Sequence, residues 1–580
     1  MIMLLKIILV IFLSFVILGF NSCQNHPVLP KNAQNELTVS PDTAWKSLTL
    51  REKIGQVVCL GYDKNQIQGV GNGSADTFLN KYPVGAMFLA NWVLGNSTPP
   101  DSLSQLYIKT IGELAKASKT PLLFSEDFET GMGNAMPNFT LLPAEMGLGA
   151  TQSIQYAHWY GDMVASELRS IGLNWILNPV ADLNMNPFNH LVNVRSVGDH
   201  PEKAAKMLSS QVIAMQKHHL AATAKHFPGD GTDFINQHFC TSQMKLSYSE
   251  WQKTFGLVYK QLIDDGIMAI MAGHITFPGY QKELWNGEYL PATLSPELLK
   301  GLLKGTLGFG GVIVSDALNM AGIAGYFPNQ LETEIACFNA GCDILLWPSL
   351  EFMDTLEARI VRKEMDEDRL NDAVSRVWNM KRKLGLFDKG YQIFDTLSKE
   401  EFQDHSAKAT EITQKSMTLL SDKNNLLPLD TSSSKKILLC VVSGGDQQVT
   451  FIPFKEALTA KGFEVDIRSN LSFFTHGHEL NQLSATYDKF IFIFNSNPAN
   501  PWGSLDLRGD GALTVWSANK LPHEKVISIA FGNPYENLGY MQRTWCRINC
   551  YSADKQSQKI LVDGIIGGYE FTGVLPVRVP

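Results

Sequence analysis

Between residues 54 and 347 the chain alternates short apolar runs with longer, polar-punctuated stretches. The runs are "IGQVVCLGY", "GAMFLAN", "PLLFSED", "LNWILNPVAD", "AATAKHF", "GIMAIMAGHI", "GGVIVSD" and "CDILLW". They are aliphatic and β-branched without strict alternation, the pattern of strands buried on both faces of a parallel sheet. Many of the stretches between them read as helices, for example "PEKAAKMLSSQVIAMQKHH", which begins with Pro201 and has apolar residues at helical spacing. Eight buried strands alternating with helices predict an α/β fold built on a (β/α)8 TIM-like barrel over residues 42–389.

Several runs finish on a polar or ionisable residue: Asn91, Asp127, Asp182, His226, His274 and Asp316. In this type of barrel the C-terminal strand ends and the loops after them build the active site. A single strand-end Asp is explained by capping or by a turn, whereas this many around one rim point to a site.

From 390 to 412 the pattern turns polar and helical ("YQIFDTLSKEEFQDHSAKATEIT"), the mark of a linker. A smaller α/β sandwich domain is expected over 413–580. Its strand candidates are "KKILLCVVSG", "FEVDIRS", "KFIFIFNS" and "KVISIAFGNP", separated by helical stretches such as "FKEALTAKG". "SGGDQQ" and "GNPYEN" are glycine-containing turns without dinucleotide-site spacing, and "GIIGGYEFTG" reads as a tight turn region.

At the other end, Lys6 precedes an apolar run from Ile7 to Phe20, which is shorter than a comfortable membrane span. It reads as an export signal over residues 1–23. Its end, "LGFNSC", resembles a bacterial lipoprotein signal, which implies that Cys23 is lipidated and that polar residues 24–41 are a tether. An ordinary signal peptide or an uncleaved anchor is the alternative. The expectation is an exported protein, lipid-anchored on the periplasmic side of a bacterial membrane.

Across 580 residues, 44% hydrophobic and 18% charged, there is ample material for a large core. A formal charge of −8 without clustered Lys and Arg argues against a nucleic-acid partner and for a neutral or weakly polar substrate. The seven cysteines beyond Cys23 form no C-x-x-C pair, so they read as buried small hydrophobes, with a Cys546–Cys550 bridge left open.

Two groups stand out for chemistry: Asp316, closing "GGVIVSD", and His238, in the loop after "AATAKHF". A strand-end carboxylate as nucleophile and a histidine that gives and recovers a proton suit a two-step displacement at an anomeric centre. A metal reading of His226, His238, Asp230 and Cys240 lacks a helix-borne H-x-x-x-H or a thiolate pair. No metal and no organic cofactor is expected.

The segments "AKHFPGDG", "VIVSDALNMAGI", "LNPVADLN", "NVRSVGDHPEKAA", "LTLREKIGQ" and "LPAEMGLGAT" resemble glycoside hydrolase family 3. Within it they are most similar to the β-N-acetylglucosaminidase branch, and the resemblance runs from about residue 46 to the end. It implies an exo-acting retaining β-N-acetylhexosaminidase, with Asp316 as nucleophile and His238 as acid/base. It also implies that Asp127, Arg195, Lys225 and His226 hold the sugar hydroxyls, through strong directional hydrogen bonds. The implied substrate is a terminal β-linked N-acetylglucosamine on a glycan or cell-wall fragment.

The chain departs from that pattern in two places. Where the family's loop carries an Asp two residues before the catalytic His, this chain has Asn236, whose amide can orient an imidazole but not stabilise its charge. Asp233 or Asp230 is the alternative partner if the loop brings one to His238. The stretch "SEDFETGMGNAMPN" also lacks the arginine usual in the acetylglucosaminidase branch. The alternatives are a β-glucosidase or β-xylosidase of the same family, and a carbohydrate-binding lipoprotein without turnover.

Overall fold

The computed structural model describes residues 43–71, 73–443, 450–469, 471, 477–496 and 510–578. The expected leader, tether and lipidated Cys23 lie outside the described residues, as does the turn at 444–448. Residues 43–47 contribute one short 3-10 turn, Ala44–Ser47; the remainder, Leu48–Pro580, is a single compact unit. Among the described residues no helix is long and apolar enough to cross a membrane.

All eight apolar runs form strands. They are β1 (Val58–Gly61), β2 (Ala86–Phe88), β3 (Leu123–Glu126), β4 (Trp175–Ile176) and β5 (Thr223–Phe227), then, after the short β6 (Ser242–Gln243), β7 (Ala269–Ala272). A second short strand, β8 (Ile275–Thr276), precedes the last two, β9 (Val312–Ser315) and β10 (Leu345–Leu346). Parallel pairing runs β10-β1-β2-β3-β4 and β5-β7-β9. Backbone bridges Trp175–Ala221 and Val314–Ile344 join the two arcs into a closed ring. Inside it pack Phe88, Leu123, Trp175, Met271, Val312, Val314 and Ile344. The polar Nε1 of the buried Trp175 is satisfied by Thr223 Oγ1 at 2.7 Å. The proline-led stretch is the helix Pro201–Lys217.

β6 and β8 pair with each other outside the ring. They tie down the far end of the loop 228–241, which carries His238.

The helix Lys399–Ser416 occupies the polar segment after the barrel. Two hydrogen bonds fasten it to the barrel helix Ile154–Ser170: Tyr156 Oη donates to Glu411 at 2.7 Å, and His405 Nδ1 meets Glu167 at 2.9 Å. The second sheet follows, with β11 (Thr418–Asp422), β12 (Lys436–Ser443), β13 (Glu464–Ser469), β14 (Lys489–Ser496), β15 (Val526–Gly532) and β16 (Cys546–Asn549) in the order β11-β16-β15-β14-β12-β13. Only β11, paired with β16, is antiparallel. Apolar clusters on its two faces, one around Ile491 and Ile529 and the other around Phe490 and Phe492, make it a sandwich. Cys546 and Cys550 are both buried free thiols, so the bridge left open by their spacing is not formed.

This sheet also braces the barrel mouth. Asn184 Nδ2 donates to Tyr535 Oη at 3.0 Å and Asn193 Nδ2 to Asn533 Oδ1 at 3.1 Å. Val194 packs against Tyr551 and Val577. The barrel segment that precedes Arg195 is therefore positioned by the second domain.

Candidate active site

Asp316 follows β9 at the C-terminal end of the ring. Its backbone N–H is held by Ala272 O at 2.8 Å, and its Oδ1 accepts from the Ala317 N–H at 2.8 Å. Burial opposes ionisation of this carboxyl, but the histidines 226, 274 and 238 and the Ala317 amide outweigh it, so its pKa lies below the ordinary aspartate value. It is an ionised carboxylate, 8% exposed, at the floor of the mouth.

At the end of β5, Lys225 Nζ contacts Asp127 Oδ1 and Glu129 Oε1, both at 2.8 Å. Glu129 also accepts two bonds from Arg195, from Nε at 2.8 Å and from an Nη at 2.7 Å. A planar fork on a carboxylate is the strongest arrangement available to these groups. Desolvation works against the charge on Glu129, yet Arg195 and Lys225 together hold its pKa far below the usual carboxylate range. The same partners keep Lys225 and Arg195 firmly cationic despite burial. Three of the residues proposed to hold sugar therefore share one ion cluster, and Glu129 is its hub. Sequence reading missed Glu129 although it lies in the quoted "SEDFETG"; its signal was a second acid two residues after Asp127 on the same strand-end loop.

His226 is fixed from below. Its Nδ1 donates to Asp182 Oδ2 at 2.7 Å, while Asp182 Oδ1 accepts the backbone N–H groups of His226 and Asp230 at 3.1 and 2.7 Å. Asp182 is fully buried, so it is a positioning residue and not part of the open rim. The same holds for His274: Nε2 donates to Ala317 O at 3.1 Å and Nδ1 accepts from Thr293 Oγ1 at 3.0 Å. Burial lowers its pKa. It steadies the peptide that carries Asp316. Asn91 meets the site's framework through its backbone N–H, which donates to Glu126. Of the strand-end residues, Asp127, His226 and Asp316 converge on the mouth.

The loop 228–241 leaves β5 through two glycines with positive φ. A Cβ on Gly229 would strike the Phe255 ring, and one on Gly231 would lie 2.1 Å from the Leu183 carbonyl. Asn189 Nδ2 ties the loop at Asp230 Oδ1 and Asp233 O, at 2.9 and 2.7 Å. Asp233 pairs outward with Lys245 at 2.9 Å. Burial and the neighbouring Asp182 push Asp230 well above the usual carboxylate range. Neither acid is the partner of His238. That partner is Asn236, whose Oδ1 lies 2.8 Å from His238 Nδ1. The backbone N–H of His238 donates to the same atom at 2.9 Å, which identifies it as the amide oxygen. An oxygen of this kind only accepts, so Nδ1 carries the proton and Nε2 is left as the reactive nitrogen. Desolvation lowers the His238 pKa to about 4, against the opposing pull of Asp316. Asp230 is buried within the loop and Cys240 is exposed; among the described residues no three His, Cys, Asp or Glu side chains converge as metal ligands.

A closed barrel with an ionised strand-end carboxylate, a cationic cluster and a loop-borne imidazole defines a glycosidase-like centre. Residues 49–380 match the glycosyl hydrolase family 3 N terminal domain, and the chain belongs to that family. It is a glycoside hydrolase. It is 28% identical to a "Beta-N-acetylglucosaminidase/beta-glucosidase" of Cellulomonas fimi over 92% of this chain and 95% of that protein. Among solved structures it resembles "Beta-glucoside phosphorylase BglX", with TM-score 0.80 and 28% identity over 92% of this chain and 94% of that one. It also resembles a family 3 β-N-acetylglucosaminidase from Paenibacillus sp. str. FPU-7, with TM-score 0.78 and 25% identity over 92% and 99%.

Two predictions follow from the charges. Glu129→Ala leaves Arg195 without its fork and Lys225 with one carboxylate, and should cost about 3 kcal/mol of stability near neutral pH. Because the folded pKa of Glu129 is depressed, its contribution is complete above the unfolded carboxylate value and is lost as pH falls below it. Urea unfolding of the two proteins should therefore differ most above about pH 5 and converge on acidification. The ring protons of His238 should titrate near pH 4 by NMR, and Asn236→Asp should raise that midpoint by roughly 1–3 units. An unmoved midpoint would show that the neighbour at Nδ1 does not set the His238 pKa.

Proposed function

We propose that the protein is an exo-acting, retaining β-N-acetylhexosaminidase that removes terminal β-linked N-acetylglucosamine from a glycan or cell-wall fragment. The observation that carries this is the pairing of an ionised, recessed Asp316 with a single-tautomer His238 beside the Lys225–Arg195–Glu129 cluster. The names of the Cellulomonas and Paenibacillus relatives support the choice of sugar. Asp316 attacks the anomeric carbon as the glycosidic bond breaks, and the departing oxygen takes the proton from Nε2 of protonated His238. In the second step neutral His238 takes a proton from water, whose oxygen attacks the same carbon and restores the Asp316 carboxylate. Lys225, Arg195, Asp127 and His226 bind the hydroxyls, with Nε2 of His226 turned toward the sugar by Asp182. A pKa of about 4 on His238 favours the base of the second step at neutral pH. Substrates whose leaving group needs a proton are then turned over best in mild acid.

A second reading keeps the same two residues and changes the sugar or the acceptor. A neutral imidazole repels an anionic acceptor less than a carboxylate would, which favours phosphate as a competitor of water. The likeness to a β-glucoside phosphorylase points the same way. A panel of p-nitrophenyl β-glycosides, assayed with and without inorganic phosphate, separates these readings: free N-acetylglucosamine is the expected product, glycosyl phosphate or glucose the alternatives, and no turnover the sign of a binding protein. Asp316→Ala should lower kcat on the order of 10⁴-fold without loss of fold, and an activated 5-fluoro glycoside should label Asp316. Label on another carboxylate removes it from that role.

The same proposal places the enzyme at a membrane through lipid on Cys23. A diacyl anchor holds firmly where a single chain would not. The full chain should sediment with membranes and a Cys23→Ser form should be released; a wild type found wholly in the soluble fraction contradicts the anchor.

A further inference from the structure

The last residues of a chain are ordinarily the least ordered, and they stay in place only where something ties them down. Here residues 570–578 form neither helix nor strand, yet they run from the helix Lys555–Ile565 of the second domain back onto the barrel. The Gly573 N–H donates to Met417 O at 3.0 Å and the Val574 N–H to Ala150 O at 2.8 Å. Farther along, Asp199 and the tail exchange bonds. The Asp199 N–H donates to Pro576 O at 3.1 Å, and the Arg578 N–H donates to Asp199 Oδ2 at 2.8 Å. Fixing an extended segment costs conformational entropy at each residue, and contacts concentrated on one stretch of the barrel offset it.

That stretch carries Arg195. Just before it in the chain, Val194 packs with Val577 of the tail, beside Tyr551 and Met146. Just after it, Gly198 lets the tail approach: a Cβ there would lie 2.3 Å from Pro576 O, and its φ of +138° already favours glycine. Ser196 Oγ links this contact inward, 2.8 Å from Gly198 O and 2.7 Å from Asp182 O. The tail therefore grips the chain on both sides of Arg195, whose fork on Glu129 depends on where its backbone lies.

We propose that residues 573–578 are a strap that positions Arg195 for sugar binding, with the buried Asp199 as its latch. The inference rests on the reading of Arg195 as a sugar-binding group. A guanidinium fork is directional, and a misplacement of about 1 Å in a positioning group can cost about 100-fold in rate. Without the strap the turn Asn193–Arg195 keeps its own bond from the Arg195 N–H to Val192 O at 2.8 Å, but loses its outer support. Arg195 then no longer holds its fork in one fixed geometry.

The test sets the full-length enzyme beside a chain ending at Gly573, an Asp199→Ala form and an Asp199→Asn form, on a p-nitrophenyl β-glycoside that the enzyme accepts. Truncation should lower kcat/KM about tenfold or more, with most of the loss in KM. Asp199→Ala should lower it about fivefold, whereas Asp199→Asn, whose amide oxygen still accepts the Arg578 N–H, should stay within about twofold of the wild type. In an Arg195→Lys background, where the fork is already lost, the same truncation should change kcat/KM by less than about twofold. Amide hydrogen exchange over residues 192–199 should quicken at least about tenfold in the truncated chain while β5 stays protected. Should that chain fail to fold, Gly198→Ala, which drives Pro576 away, is read in the same way. Equal losses in both Arg195 backgrounds, or unchanged exchange over 192–199, overturn the strap while leaving the proposed activity standing. If the wild type turns over no aryl glycoside, the glycosidase reading fails, and the exchange measurement alone decides the strap.

Discussion

Closure of the ring between β1 and β10 is the constraint on which the rest depends. The barrel strands are short and parallel, some of only two residues, and closing the ring gives each of them a neighbour on both sides. Burial on both faces then expels polar side chains from the strand interiors. The few that remain gather at the ends, where the chain turns into loops, and this is why Lys225, His226 and Asp316 stand within reach of one another although they are far apart in sequence.

Gathering charges into a recessed mouth creates an electrostatic problem, and the site solves it in layers. Asp182 takes three hydrogen bonds beneath His226, so its charge is spent in orienting a ring. Glu129 sits between Arg195 and Lys225 and keeps both cations buried at the mouth as a compensated cluster. Asp316 faces histidines and a single amide, and among the described residues no Lys or Arg is paired with it. A carboxylate locked in a salt bridge is a poor nucleophile; one held by dipoles and weakly basic rings keeps its lone pairs available. The second domain enters this arrangement through Asn533, Tyr535 and Tyr551, which steady the segment leading to Arg195.

The barrel was legible because its strands carry a pattern that few other structures produce, and each apolar run became a strand. The same clarity extended to β12, β13, β14 and β15 of the second sheet. It failed at β11 and β16, where "TLLSD" and "CRIN" mix polar residues into edge or near-edge positions and so lose the buried-strand signature. In the site, residue type and strand-end position were enough to single out Asp127, His226 and Asp316. What sequence could not supply was depth. Asp182 and His274 look like rim residues in one dimension and are supports in three, because only packing decides which side of a strand end faces solvent. Glu129 was hidden for the converse reason: its importance lies in two partners, Arg195 and Lys225, that no local spacing connects.

Asn236 is where the local chemistry and the proposed reaction pull against each other. A carboxylate in its place would stabilise the imidazolium form of His238 and so favour protonation of a leaving group. It would also add a second negative charge close to Asp316, in a mouth that already holds Asp127 and Glu129. The amide keeps the geometry, since one oxygen receives both the ring Nδ1–H and the backbone N–H of His238, and gives up the charge. The cost falls on the first step, where a proton must be donated from a group that is mostly neutral at physiological pH. The gain in the proposed reaction falls on the second, where Nε2 is free of its proton and the ring's partner, Asn236, carries no charge to turn away an incoming acceptor. Two opposing effects therefore act on the same ring: desolvation disfavours the imidazolium, and the nearby Asp316 carboxylate favours it.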